Sequence, residues 1–222
     1  MADSLPYNIV DFKAVMKHSF FSGHDDEALY CEDTDKRVNT WQFAAQRFLE
    51  RYQDMLFGDD TTPRHLLVAH DMGHEYRTAV FDGYKKKRRE REKSEVEIEQ
   101  LNKLYAWAKS FFTALGATQI GVEGVEADDI IAWLCQGLKG PKQVFTVDAD
   151  LLQLVNHETL VYLKGEPHGP EGEYKGIPYP LTSIAKSILG DTSDGYGGVP
   201  QIGPAKFEAL LEDYGDDGIE QL

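Results

Sequence analysis

Apolar residues along the chain follow two rhythms. Short apolar runs bounded by polar residues, at Tyr7 to Val10, His65 to Ala69 and in "QVFTVDAD" ahead of Asp148, predict strands. Longer stretches repeat every three or four residues. From Asn39, read as an N-cap with Gln42 three residues on, a stripe of Trp41, Ala44, Ala45, Phe48, Tyr52, Met55 and Leu56 predicts a helix that Gly58 ends. A second stripe, Ile98, Leu101, Leu104, Tyr105, Ala108, Phe112 and Leu115, is closed by Gly116. Strands alternating with helices predict an α/β fold, a largely parallel sheet covered on both faces. "KGEPHGPEGEYKGIPYP", near 164–180, reads as a loop because glycine and proline dominate it. Beyond it the chain turns helical, with Pro180 and Pro204 in first turns and Gly190 and Gly215 at helix ends.

A chain of 222 residues with 41% apolar content can bury a core as one large domain, or one domain and a small appendage. It contains no apolar run of about 18 residues for a membrane span, and its opening, MADSLPYN, lacks the basic and apolar regions of a signal peptide. Cys31 and Cys135 are far apart, without metal-ligand spacing, and Cys135 sits among apolar residues as a core thiol. The expectation is a cytoplasmic protein with no membrane partner. A net charge of −15 argues at first against nucleic acid, since phosphate binding relies on Lys and Arg. Its distribution changes that picture. Basic residues concentrate in "YKKKRREREK", Tyr84 to Lys93, and many acids fall in short pairs. Pairs that hold divalent cations make the formal charge overstate the repulsion a phosphate meets.

The acids converge. Asp11 ends the first strand, Asp71 follows the second, and Asp148 and Asp150 follow the third. In open parallel sheets, sites form outside the carboxyl ends of strands. Asp148 and Asp150, two apart in an extended segment, should project to one side. In "GVEGVEADDIIAWLC", Glu126 and Asp129 should share a helix face, with Asp128 between them. A helix dipole alone accounts for acids in a single first turn, and a single strand-end Asp is often a cap. The joint pattern asks for more. Clustered carboxylates raise one another's pKa unless a cation is present, and hard oxygen ligands without His or Cys suit Mg2+ or Mn2+. Asp191 and Asp194, in "ILGDTSDGYGG", can serve a second ion. Paired ions about 3.5 to 4 Å apart clamp the attacking and leaving oxygens of a phosphoryl displacement. "GGVPQIGPAKF" predicts a tight hairpin feeding a helix near Pro204, with Phe207, Leu210, Leu211 and Tyr214 on its apolar face. Its glycines allow close backbone approach and its helix start offers amides to a phosphate, although an ordinary αα-hairpin fits as well.

Read in order, "NIVDFKAVMKHSFF", "VAHD", "DGYKKKR", "GVEADDIIA", "TVDADLLQLV" and "GDTSDGYGGVPQIGPAKFEALL" resemble the structure-specific 5′ nucleases: flap endonucleases, phage 5′-3′ exonucleases and the 5′-nuclease domains of bacterial DNA polymerase I. The resemblance implies a PIN-like catalytic domain over 1–178 with a helical arch near 72–97, then a helix-hairpin-helix DNA-binding region over 179–222. It assigns Asp11, Asp71, Glu126, Asp128, Asp148 and Asp150 to a first metal and Asp129, Asp191 and Asp194 to a second, as two Mg2+ or Mn2+. It places Lys85 and Arg88 at the scissile phosphate, and Tyr84 under a terminal base. It extends to a K+ held by backbone carbonyls near Gly198, Val199 and Ile202, with Gly203 and Lys206 on DNA phosphates.

The chain departs from the family pattern at Phe12, where the family usually has Gly, and at Gly195, where it usually has Asn. It also stops soon after the hairpin helix. The implied function is metal-dependent hydrolysis of DNA at 5′ ends, nicks or flaps by a monomer, in replication and primer removal and of a kind found in phages. A replicative polymerase or a single-strand-binding protein is the implied protein partner. The rival readings are a non-catalytic DNA-junction binder and a PIN-like ribonuclease.

Overall fold

The three predicted strands lie side by side in the computed structural model, which describes residues 6–32, 35–57, 65–84, 94–192 and 194–219. The chain runs through β1 (Tyr7–Asp11), α1 (Phe12–Phe21), the short pair β2 (Leu29–Cys31) and β3 (Lys36–Val38), α2 (Trp41–Phe57), β4 (His65–His70) and α3 (Glu75–Val80). It continues through α4 (Glu95–Ala114), β5 (Thr118–Gly121), α5 (Ala127–Gly137), β6 (Lys142–Thr146), a 3-10 helix (Ala149–Leu154), β7 (Thr159–Leu163) and β8 (Glu166–His168). The last part holds the pair β9 (Glu173–Tyr174) and β10 (Ile177–Pro178), a 3-10 turn (Tyr179–Leu181), α6 (Thr182–Leu189), the pair β11 (Gly190–Asp191) and β12 (Tyr196–Gly197), and α7 (Pro204–Ile219).

The main sheet has the order β5-β4-β1-β6-β7-β8, parallel throughout except for β8 at one edge. Its central strands read as continuous apolar runs because helices cover both faces. Successive residues serve opposite layers: Val10, Val68 and Phe145 pack with Phe12, Phe48, Leu104 and Phe112 of α1, α2 and α4. Ile9, Ala69 and Val144 pack instead with Ile130, Ile131 and Leu134 of α5 and with Leu151 and Leu152. Each large apolar side chain fully buried here contributes about 1.5 to 3 kcal/mol.

Several expectations change in the structure. Thr40, not Asn39, caps α2: Phe43 N donates to Thr40 Oγ1 at 3.3 Å, while Asn39 holds the preceding loop through Phe20 O and Asp25 N. α4 starts at a Ser94 cap; Ile98 lies off its buried stripe and Leu115 follows its last residue, and they are 44% and 37% exposed. The glycine- and proline-rich stretch carries β8, β9 and β10, which pair as short antiparallel strands. Gly215 lies inside α7, which runs on to Ile219. Cys135 is buried, and burial pushes its thiol up to about 11. Phe12, flagged as a departure near Asp11, points into the core at 1% exposure, its ring 4.4 Å from that of His70.

Candidate metal and nucleic-acid site

The carboxyl ends of β1, β4 and β6 open into one cleft of about 660 Å³. Its lining includes Asp11, Asp71, Glu126, Asp128 and Asp148, with Lys13, Lys17 and Lys164 among the basic residues. Asp11 is the last residue of β1 and the N-cap of α1, where its Oδ1 accepts from Ala14 N at 3.3 Å. Its Oδ2 accepts from Thr146 Oγ1 at 2.8 Å. Burial raises the Asp11 carboxyl to about 6; hydrogen bonds from Thr146 and Ala14 work against that rise, and the charges of Asp148 and Asp71 add to it. Asp71 follows β4; Lys13 Nζ donates to its carbonyl at 2.9 Å and lies 3.6 Å from its carboxylate.

The acids after β6 take an arrangement unlike the expected extended pair. Asp148 caps the 3-10 helix through a 3.0 Å bond from Asp150 N, so the chain turns between them instead of alternating. Asp148 lines the cleft, whereas Asp150 reaches Lys186 of α6, which also contacts Asp191. Asp194 N donates to Asp191 Oδ1 at 3.2 Å.

At the start of α5, Glu126 is the N-cap residue and Asp129 lies in the first turn. Both are reached by Arg77 of α3, at 3.0 Å to Glu126 Oε2 and 2.7 Å to Asp129 Oδ1. Tyr84 completes the group, donating to Glu126 Oε2 at 2.7 Å and accepting from Arg77 Nη1 at 2.8 Å. Tyr84 is 6% exposed, with Arg77 over its ring at 5.5 Å from the centroid. A base can stack on Tyr84 only after these neighbours move. Burial opposes the Arg77 charge, but its bonds to Asp129 and Tyr84 hold the guanidinium above the ordinary arginine range.

Lys85 and Arg88 lie outside the described residues. Among the described residues, no group of three or more His, Cys, Asp or Glu side chains stands close enough to hold a metal ion in this conformation. The donor chemistry is nevertheless that of a hard cation: carboxylate oxygens from three strand ends and a helix start, with Asp11 raised by burial and by like charge.

The C-terminal hairpin is held by close backbone contact. Val199 N donates to Ile188 O at 2.7 Å. A Cβ at Gly198 would stand 2.3 Å from Ile188 O, and one at Gly190, where φ is +81°, would stand 2.3 Å from Gly198 N. Gly195, at φ +89°, takes a backbone conformation that strains other residues and passes Gly83 O, accounting for glycine at this departure. Val199 is 45% exposed, Ile202 is partly buried, and Gly203 and Lys206 are exposed at the start of α7. Arg77 and Lys186 were not among the sequence-derived candidates; no motif or spacing marks them.

Sheet order and strand-end acids together define an α/β protein with a carboxylate-lined cleft at the carboxyl ends of its central strands. The model of the 5′-3′ exonuclease N-terminal, resolvase-like domain matches residues 6–175, and the chain belongs to this family. It is 32% identical over 163 residues to the 5′-3′ exonuclease of Bacillus subtilis, covering 68% of this chain and 53% of that protein. It is likewise 32% identical over 163 residues to DNA polymerase I of Rhizobium leguminosarum, covering 70% of this chain but 16% of that protein. The chain thus spans about half or less of these relatives. Among solved structures, it resembles the flap endonuclease of bacteriophage T5 in a pseudo-enzyme–product complex with DNA and metal ions, at TM-score 0.71 and 18% identity, covering 98% of this chain and 79% of that one. It also resembles the T5 5′-exonuclease with bound divalent zinc ions, at TM-score 0.65 and 19% identity, again covering 98% and 79%. None of the described helices is long and apolar enough to cross a membrane.

Proposed function

We propose that the chain is a divalent-metal-dependent 5′ nuclease that hydrolyses DNA at 5′ ends, nicks or flaps. One observation carries this reading: Asp11, Asp71, Glu126, Asp128 and Asp148, far apart in sequence, line one cleft alongside lysines. The family membership and the T5 relatives' bound DNA and metal ions support it.

Asp11, Asp71, Glu126, Asp128 and Asp148 would hold a first Mg2+ or Mn2+, and Asp129, Asp150, Asp191 and Asp194 would stand around a second. Such ions supply Lewis-acid charge and lower the pKa of water at the reacting phosphate. The chain's own residues do the rest. Lys13, Lys17 and Lys164 give the cleft positive charge that draws in a phosphodiester despite the acidic total. Lys85 and Arg88 neutralise charge that develops on the phosphoryl oxygens. A water oxygen bonds to phosphorus as the bond to the 3′ oxygen breaks, leaving a 5′-phosphate and a 3′-hydroxyl. The segment from α6 to α7 would grip duplex DNA as a helix-hairpin-helix, with Gly203 and Lys206 on phosphates and a K+ near Gly198, Val199 and Ile202. This divides the chain into a catalytic part, 1–178, and a DNA-gripping part, 179–222. The setting is replication and primer removal, beside a DNA polymerase.

The test is incubation with matched nicked duplexes carrying either a DNA or an RNA 5′ strand, in Mg2+ and in EDTA. Metal-dependent shortening of the DNA strand supports the proposal. A DNA strand left intact while the RNA strand is cut would establish the ribonuclease reading, and tight binding without cleavage of either strand the junction-binder reading.

A further inference from the structure

Lys186 extends from α6 to two carboxylates on different elements, Asp150 in the first turn of the 3-10 helix and Asp191 in β11. The side chains of Lys186 and Asp150 are about one-third exposed, whereas that of Asp191 is 9% exposed. Two carboxylates that touch one ammonium are close neighbours, and without a cation between them repulsion would separate them or protonate one. The loop fixes Asp191 independently, since Asp194 N reaches its Oδ1 and Gly195 N reaches its carbonyl at 2.9 Å. Asp191 is therefore held in place without Lys186, which bridges it to the more exposed Asp150.

An ammonium and a hard divalent ion seek the same carboxylate oxygens, the first through N–H donors and the second through direct coordination. We propose that Lys186 is a resident counter-ion of the Asp150–Asp191 pair and competes directly with a divalent ion for it. The cleft acids Asp11, Asp71 and Asp148 then load first, and the second pair loads only as Lys186 leaves. This rests on the reading of the chain as a metal-dependent nuclease, but it concerns ion binding and not turnover.

The test is a titration of the full chain with Mn2+ without DNA, free Mn2+ being read by electron paramagnetic resonance. Wild type should bind one tight class of ion and a second class at least tenfold weaker. Lys186→Met should tighten the second class tenfold or more and leave the first unchanged, while Lys186→Arg should behave as wild type. Should Lys186→Met fail to fold by circular dichroism, Lys186→Gln, which stays polar but uncharged, should show the same tightening. Equal binding by wild type and the uncharged variant would overturn the competition while leaving the nuclease reading in place. No Mn2+ binding by any of these proteins would overturn both.

Discussion

Thr146 Oγ1 donates to Asp11 Oδ2 at 2.8 Å and accepts from Asp148 N at 3.0 Å, so one buried hydroxyl ties together two acids of the cleft. Thr146 ends β6 beside β1, which places the hydroxyl between the two strand ends. Val has the same shape but no hydroxyl. Thr146→Val should cost about 1 to 3 kcal/mol, because it strands a buried carboxylate and an amide. Thr146→Ser should retain most of that stability. Urea unfolding of the metal-free proteins checks this, and equal midpoints for wild type and Thr146→Val would contradict it.

Arg77, with Tyr84, helps make Glu126 tolerable where it lies, with 7% of its side chain exposed. Arg77→Met should destabilise by about 2 kcal/mol, the scale of charge-assisted hydrogen bonds lost from a partly exposed network. Arg77→Lys should lose less, since it keeps a charge but not the fork that spans Glu126 and Asp129. Urea denaturation ranks the three proteins, and an order in which Lys is worse than Met would sink the account.

The glycines of the hairpin separate into two kinds. Gly198→Ala places a methyl group against backbone at Ile188, which cannot rotate away, so the hairpin must shift and the melting temperature fall. Gly203 has nothing within 4 Å of a Cβ position, so Gly203→Ala should stay within about 0.5 kcal/mol of wild type. If Gly203 meets a DNA phosphate, that variant should still bind duplex DNA more weakly. Thermal melts paired with fluorescence anisotropy on a labelled duplex separate the two effects.

The sheet was legible because its central strands are buried on both faces, leaving short apolar runs at β1, β4 and β6. The strand-end acids were legible for a related reason: a charge that closes such a run stands at the carboxyl end of the sheet, where the cleft forms. Residue alternation failed at Asp150 because a 3-10 turn begins straight after Asp148, and a sequence read as extended carries no mark of that turn. Arg77 and Lys186 were invisible because the partners Asp129 and Asp150 lie 52 and 36 residues away, and no local period signals an ion pair across such separations; the nearer Asp191, five residues from Lys186, lies beyond the end of α6 and off any helical spacing. β5 and β7 passed unremarked, one short and partly exposed and the other alternating in burial. The family resemblance places Tyr84 under a terminal base. The bonds of its hydroxyl to Glu126 and Arg77 instead draw it inward.

His18 gives a pH signature of stability. Burial, then the charges of Arg51 and Lys164, lower its imidazole from 6.5 to about 4. The unfolded chain therefore binds a proton that the folded one refuses between these values. The contribution is complete above pH 6.5 and is lost as pH falls towards about 4. Over that window wild type should lose more stability than His18→Gln, as read by urea midpoints at successive pH values. Parallel curves would contradict the assignment.

The central claim is that the strand-end acids carry phosphodiester chemistry, and cleavage of an internally labelled 5′-flap duplex tests it most directly. Wild type in Mg2+ should cut near the junction and stop in EDTA, while Asp148→Asn should fold normally and lose at least about a hundredfold in rate, as removal of a group that acts on the transition state does. Cutting by Asp148→Asn at the wild-type rate, or a folded wild type that cuts in neither Mg2+ nor Mn2+, would contradict it.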